Sequence, residues 1–511
     1  MDDRTAIVII HGIGEQIPMA TLTGFIDTVW THDVSLVDIK KPDPNTGGPR
    51  TGNASWSKPD ERNRSFELQL VTTESDEKKR RCDFFEYYWA HRVTGTTWEQ
   101  VRAWILGLML RNPFTSVPKG VRPAWLILWV LLFLVVYVSV VAGLATGAEK
   151  IEPSNSHFLP VRWTLMLAAW IQTWDGWQIA ITWGAVTLAS GVILKIMVDV
   201  AGDVVRYVEA TPKNIAIRQS IRENGVRLIE TLMGIDEHGV VGTADYDRII
   251  VVGHSLGTIV AYDILTHVFG RHNDRIDSTK LSGARQDKRA ELETLVREGL
   301  EGKPGFTLAA YRALQGACRE ELNAFGNPWI VSDFISLGSP LTHAEFLLAA
   351  DRATLETAKQ KRILPTCPPT LEYDRSTKLL HFTYRSKEVR EVGGAADPMS
   401  PRVPHHAALF AYTRWTNIYS PLRVLLVGDI VSGPLCKAFG LSRSGNTPLC
   451  GIQDIAVLPT NDAEATGQDR KRRLLTHLKY WDLGVARSEK ANIVPFHIRA
   501  LRNALDLGRN A

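Results

Sequence analysis

The segment Gly253-His254-Ser255-Leu256-Gly257 sets a serine between two glycines, each two positions away, and that spacing suits nucleophilic chemistry. A serine hydroxyl attacks a carbonyl only when the backbone projects it and a neighbouring base takes its proton. Asp247 to Leu265, DRIIVVGHSLGTIVAYDIL, reads as a β-branched strand, a sharp turn and a helix. Ser255 would then stand on a strained elbow, with Gly253 and Gly257 small enough to let strand and helix approach. The bland alternative, a glycine-rich turn with an incidental serine, loses to the flanking strand and helix.

A second glycine-bearing turn supports the first. AIVIIHGIGEQ, residues 6 to 16, runs from a strand into His11-Gly12-Ile13-Gly14. Such a loop lets backbone N–H groups reach a tetrahedral oxyanion, and the donors expected are those of Ile13 and of Leu256, just after the nucleophile. His11 is expected to order this loop, and His254 to pack against the elbow.

In an elbow hydrolase the acid and base follow the serine in the order Asp or Glu, then His, on loops after later strands. Asp429 in RVLLVGDIVSGPL follows an apolar run, Val424 to Val427, and His477 in RLLTHLKYWDLG lies downstream of it. Ser255, Asp429 and His477 are therefore the expected nucleophile, acid and base. Asp333, within WIVSDFISLGSPL, is the alternative acid. His405 and His406 also follow the elbow but precede Asp429, which would invert the order.

These motifs resemble the intracellular phospholipase A1 family with the DDHD-type domain. The likeness rests on HGIG (His11 to Gly14), DVVRYVEATPKN (Asp203 to Asn214), GHSLGTIVAYDIL (Gly253 to Leu265), FISLGSPL (Phe334 to Leu341), HLKYWD (His477 to Asp482) and the closing ANIVPFHIRAL. It implies the same three roles for Ser255, Asp429 and His477, and glycerophospholipids or related lipid esters as substrates. HGIGEQ and DFFEYYWAHRVTGTTW (Asp83 to Trp98) look like bacterial membrane-associated hydrolases instead, which implies a bacterial inner membrane.

The elements that position these residues read as a mostly parallel sheet with helices on both faces, the α/β-hydrolase arrangement. Strands are expected at 6–10, 67–72, 82–89, 248–252, 330–337, 379–385 and 423–428, and loops at 41–64 and 391–406. Residues 276–305 suggest either a lid or an exposed helix. The hydrolase domain comprises 1–100 and 201–511, interrupted by a membrane insertion at 101–200. No charged residue occurs from Pro123 to Ala148, long enough for one transmembrane helix at about 123–146, and 176–196 supplies a shorter second one. Trp163 to Trp174 is too short to span and would lie along the interface or extend the second helix. Cations before the first span (Arg102, Arg111, Lys119, Arg122) and after the second (Lys195, Arg206) put the catalytic part on the cytoplasmic side.

Composition excludes other classes. A net charge of +4 over 511 residues is too small to argue for nucleic acid. The five cysteines are scattered and never form CxxC, so free thiols in a reducing compartment are expected and a metal site is not. No cofactor is implied. The N-terminus carries no secretory signal, so secretion is not expected. The basic clusters Lys78 to Arg81 and Arg470 to Arg473 are solvated faces or contacts to anionic lipid. The expected activity is acyl-enzyme hydrolysis of carboxylic esters of lipids at the bilayer. A thioesterase or protein deacylase would use the same triad, and a non-catalytic membrane-bound interaction protein would use only the scaffold.

Overall fold

Arg4–Ile10, RTAIVII, is apolar from Ala6 onward and buried along nearly its whole length, as a parallel strand covered on both faces must be. The computed structural model describes residues 4–12, 17–33, 35–36, 41–63, 65–75, 80–92, 109–112, 117, 122–146, 159–178 with shorter stretches to 187, 207–208, 212, 214–281, 284–387, 389, 399–422, 428–443, 447–459, 476–483 and 494–507. They fall into two compact units, 1–94 with 207–511, and 95–206.

The first unit is built on an eight-stranded sheet. Arg4–Ile10 is β1, and the others are β2 Ser55–Pro59, β3 Gln69–Thr73, β4 Arg81–Tyr87, β5 Arg248–His254, β6 Val331–Leu337, β7 Arg414–Tyr419 and β8 Gln453–Ala456. Their spatial order is β8-β7-β6-β5-β1-β4-β3-β2, all parallel except β2 and β3, which form an antiparallel edge beside β4. Ile10 lies opposite Gly253, and Gly253 opposite Ser336, so the carboxyl ends of the three central strands finish level.

Side chains alternate between the two faces of β1. Ile7 and Ile9 join Leu22 and Phe25 of α1 (Ala20–Ile26), and Leu501 and Leu505 near the C-terminus, in one apolar core. The opposite face carries α2 (Ile215–Leu232) and α3 (Gly257–His272). Helix α2 buries Ile221, Gly225, Leu228, Ile229 and Leu232, one stripe of helical period. Gly225 matters there because a Cβ would strike the Ile264 side chain of α3. The chain leaves β1 for one face and β5 for the other, and crevices form outside the carboxyl ends of strands at such a reversal.

Helices α4 (Asp287–Leu300) and α5 (Leu308–Ala324) follow, and α6 (Phe496–Leu505) closes the unit. The 276–305 segment is no bare exposed helix. Glu293 of α4, 1% exposed, accepts from Arg289 at 2.8 Å, His381 at 2.6 Å and Thr383 at 2.7 Å, so α4 is pinned to the chain around 381–383 by a buried, fully paired carboxylate.

Several expectations need correction. The strand expected at 423–428 lies, but for Gly428, outside the described residues, and a strand that was not expected, β7, occupies Arg414–Tyr419. Residues 379–385 hold two short strands that pair in separate two-stranded ribbons, and β2 occupies part of the expected loop at 41–64. Cys436 and Cys450 are joined in a disulfide with Cα atoms 5.5 Å apart, while Cys82, Cys318 and Cys367 are free and buried. The expectation of five free thiols therefore fails for one pair.

The second unit contains an α-helix at Arg122–Ala145 and another at Leu159–Gln172, which meet around Val141, Ala145 and Ala168. The short segment at 163–174 is thus helical almost throughout and packs on its predecessor. Some side chains of the first helix lie outside the described residues, as does most of 176–196. Among the described residues no helix is long and apolar enough to cross a membrane, so the expected hairpin has no support from the fold.

Two glycines separate close approach from mere flexibility. At Gly257 a Cβ would collide with the carbonyl oxygens of Ile10 and His11, whereas at Gly316, inside α5, it would meet nothing within 4 Å. Gly257→Ala should destabilise the fold by about 3 kcal/mol, and Gly316→Ala should stabilise it by about 0.5 to 1 kcal/mol. Urea unfolding followed by circular dichroism checks both.

Candidate active site

Strand β5 delivers the chain to Ser255, which has φ +53°, the left-handed region that a residue with a Cβ avoids at a cost of about 1 to 2 kcal/mol. The turn is held by Ser255 N–H donating to Leu337 O at 2.9 Å and by Thr258 Oγ1 donating to Ser255 O at 2.7 Å. Gly253 leaves room for Thr258, whose Cα would lie 2.7 Å from a Cβ added there.

Ser255 Oγ lies 2.8 Å from His477 Nε2, and His477 Nδ1 lies 2.9 Å from Asp429 Oδ2. The structure therefore brings together the three side chains singled out from chain order. Asp429 can only accept, so Nδ1 carries the proton and Nε2 is left to accept from the serine hydroxyl. His477 sits on a 3₁₀ turn, Thr476–Leu478, anchored where Thr476 N–H donates to Gly428 O at 3.2 Å. Asp429 Oδ1 takes the Val431 N–H at 2.8 Å, and Oδ2 also takes the Tyr480 hydroxyl at 2.7 Å. Burial pushes the Asp429 carboxyl up, but His477, Tyr480 and Ser432 outweigh it and hold it below the usual carboxylate range. The acid therefore stays ionised beside the base.

The oxyanion side is partly described. A Cβ on Gly12 would stand 2.7 Å from Ser255 Cβ, so the backbone of the HG loop lies directly against the nucleophile. Ile13 and Gly14 fall outside the described residues. Leu256 is buried at the head of the 16-residue α3, where first-turn N–H groups have no intrahelical partner and the helix dipole favours negative charge.

His11 is stacked on Trp89 with ring centroids 5.1 Å apart. Its Nε2 accepts the Trp89 N–H at 3.2 Å, which leaves Nδ1 to donate to Gly12 O at 2.8 Å. Burial lowers its pKa to about 4, so it serves the loop as a neutral ring. His254 Nε2 donates to His477 O at 2.9 Å, and burial, with repulsion from His477, lowers its pKa to about 3. Both are positioning groups, and only His477 faces the serine hydroxyl.

The competing candidates lie elsewhere. Asp333 is near the start of β6, four residues or about 13 Å from the carboxyl edge, where it pairs with Arg414 at 2.8 Å. His405 and His406 are each spent on a backbone carbonyl, Thr370 O at 2.9 Å and Arg362 O at 3.1 Å. A cleft of about 510 Å³ is lined by Tyr88, His91, Arg92, Asn224 and Arg227 among others. The Tyr88 ring lies 5.2 Å from that of His11, which joins the cleft to the nucleophile's surroundings. The sequence reading missed this cleft, because its cations Arg62, Arg92 and Arg227 come from the β2–β3 connection, the 3₁₀ turn after β4 and α2, far apart in the chain. Among the described residues no group of His, Cys, Asp and Glu side chains is arranged to hold a metal ion.

No family model, curated protein or solved structure matches this chain, so function has to be argued from the site itself.

The buried histidines give the fold an acid limit. His11, His254 and His405 have folded pKa values of about 4, 3 and 4, below the unfolded value near 6.5. Groups whose pKa is depressed on folding contribute stability that is present above the unfolded value and lost as pH falls below it. Stability should therefore decline from about pH 6.5 downward, by on the order of 2 kcal/mol for each histidine at pH 5. Denaturant unfolding between pH 8 and pH 5 measures this, and His254→Gln should make the slope shallower by about one proton.

Proposed function

We propose that this chain is a serine hydrolase of the α/β-hydrolase fold, related to the DDHD-type phospholipases, that cleaves carboxylic esters of lipids through an acyl-enzyme. The observation that carries the reading is the line Ser255 Oγ, His477 Nε2, His477 Nδ1, Asp429 Oδ2, with both links under 3 Å. His477 takes the hydroxyl proton as Ser255 attacks the ester carbonyl, and returns it to the departing alkoxide. Water then repeats the sequence on the acyl-enzyme, while the Leu256 N–H and the HG loop receive the oxyanion. A triad of this kind would serve thioesters or acyl groups on proteins equally well. Phospholipid is favoured by the cleft, whose Arg92 and Arg227 suit an anionic head group.

Membrane anchoring belongs to the same proposal. It rests on the charge-free run from Pro123 to Ala148 and on the exposed apolar side chains of the Arg122–Ala145 helix, Leu126, Val130, Phe133 and Val140 among them. We place the spans at about 123–146 and 176–196 and, from the flanking cations, the catalytic unit on the cytoplasmic side of a bacterial inner membrane. A second orientation, facing away from the cytoplasm, is favoured by the Cys436–Cys450 bridge, since disulfides persist in oxidising compartments. Protease protection in sealed inner-membrane vesicles of known sidedness separates the two. Digestion of the catalytic unit from the cytoplasmic face, with residues 147–175 protected, is the result expected.

Fluorophosphonate should label wild-type protein at Ser255. Ser255→Ala and His477→Ala should each lower ester turnover by several orders of magnitude, the double variant being hardly worse than either. Asp429→Asn should cost less, and Asp333→Asn should cost stability, about 1 to 3 kcal/mol, with little loss of turnover. A folded protein inert to the probe and to phospholipid, thioester and acyl-peptide substrates, and indifferent to Ser255→Ala, would leave the scaffold reading in possession.

A further inference from the structure

We propose that Tyr480 is a positioning residue of the triad, whose hydroxyl fixes the Asp429 carboxylate and, by sharing Oδ2 with His477, keeps the base weaker than an isolated acid–imidazole pair would make it. The inference rests on the serine-hydrolase reading for its role, and on geometry alone for its substance.

Tyr480 is 1% exposed, and its hydroxyl is the meeting point of three chain segments. It donates to Asp429 Oδ2 at 2.7 Å, the same oxygen that takes His477 Nδ1 at 2.9 Å. A phenol has one proton to give, and the carboxylate is its strongest acceptor here. The oxygen's lone pairs then receive the Ser420 N–H at 3.0 Å, from the end of β7, and face Ser432 Oγ at 2.9 Å, from the acid loop. With the Ser420 N–H behind it the O–H is polarised toward Asp429. One side chain, three residues after the base, thereby ties the acid loop and the strand end to the turn that carries His477.

The electrostatic consequence has a definite sign. Each hydrogen bond donated to Asp429 spreads its negative charge and reduces its hold on the imidazolium. Removing the Tyr480 donor concentrates that charge on His477 and raises the proton affinity of the base. The other titratable groups around His477 are Ser255 at Nε2, His254 from the elbow with its ring 5.2 Å away, and His343, which reaches Ile430 O at 3.4 Å beside the acid. Burial lowers the pKa of both of those histidines below the ordinary imidazole range.

The test is the titration of His477, followed by NMR on protein labelled with ¹⁵N-histidine, together with the pH profile of fluorophosphonate labelling. Tyr480→Phe should raise the apparent pKa of His477 by about half a unit to one unit, and should slow labelling at pH 6 about threefold to tenfold. Placed on Asp429→Asn, the same change should have no further effect on the titration. Since loss of a buried hydroxyl can unfold the protein, 3-fluorotyrosine at position 480 is the second probe. Its more acidic phenol donates more strongly and should move His477 downward, a reversal that a purely structural role does not produce. A folded protein whose His477 titration is unmoved by both changes overturns the proposal. If wild-type protein resists fluorophosphonate yet His477 shifts in opposite directions as described, the hydrolase reading falls and the role of Tyr480 in setting the imidazole stands.

Discussion

The first turn of α3 lies against the last residues of β1 so closely that a hydrogen is the largest substituent Gly257 can carry. Much else follows from this one contact. To bring the helix in, the chain must reverse within two residues of β5, which forces Ser255 to φ +53° and lifts its hydroxyl clear of the backbone. The same approach sets the His11-Gly12 loop on the nucleophile and aims the head of the helix at the place where negative charge would develop. The strain at Ser255 persists because Gly253, Thr258 and Leu337 each constrain the turn from a different side.

Around that turn the charges are sorted by burial and partners. Asp429 is the ionised acid, kept so by donors on both its oxygens. His11 and His254 lie within the same small region yet stay neutral, because burial outweighs the carbonyl oxygens that their ring protons meet. An imidazolium on either would compete with His477 for the field of Asp429. Their neutrality leaves His477, among the described residues, as the ring placed to take the Ser255 proton in the proposed reaction.

How much of this was legible in the sequence depends on how local each signal is. The elbow is written within five residues, by the need for small neighbours, and the HG loop within four. Asp429 and His477 could be placed because chain order restricts them, even though β7 was not anticipated. RWTNIY reads as too polar for an interior strand, yet it is β7, and its Thr416 and Asn417 are buried because Arg312 donates to the first and Ser336, Asp454 and Gly433 pair with the second. Hydrophobicity alone cannot anticipate such pairing. Strand β2 escaped for the opposite reason: SWSKP is an exposed edge held by its ladder to β3. The Cys436–Cys450 bridge and the Tyr480 network join positions that no periodicity connects.

The sheet order also dictates a sequence of events during synthesis. Strand β1 needs β4 on one side and β5 on the other, and Thr5 pairs with Arg248 across more than two hundred intervening residues, the whole second unit among them. From the moment β4 emerges until β5 follows, the most apolar strand of the protein presents an unpaired edge, the kind that recruits other chains. That edge stays open for as long as the second unit takes to be made, so the pairing of β1 with β5 that joins the two halves of the sheet waits until that unit is complete.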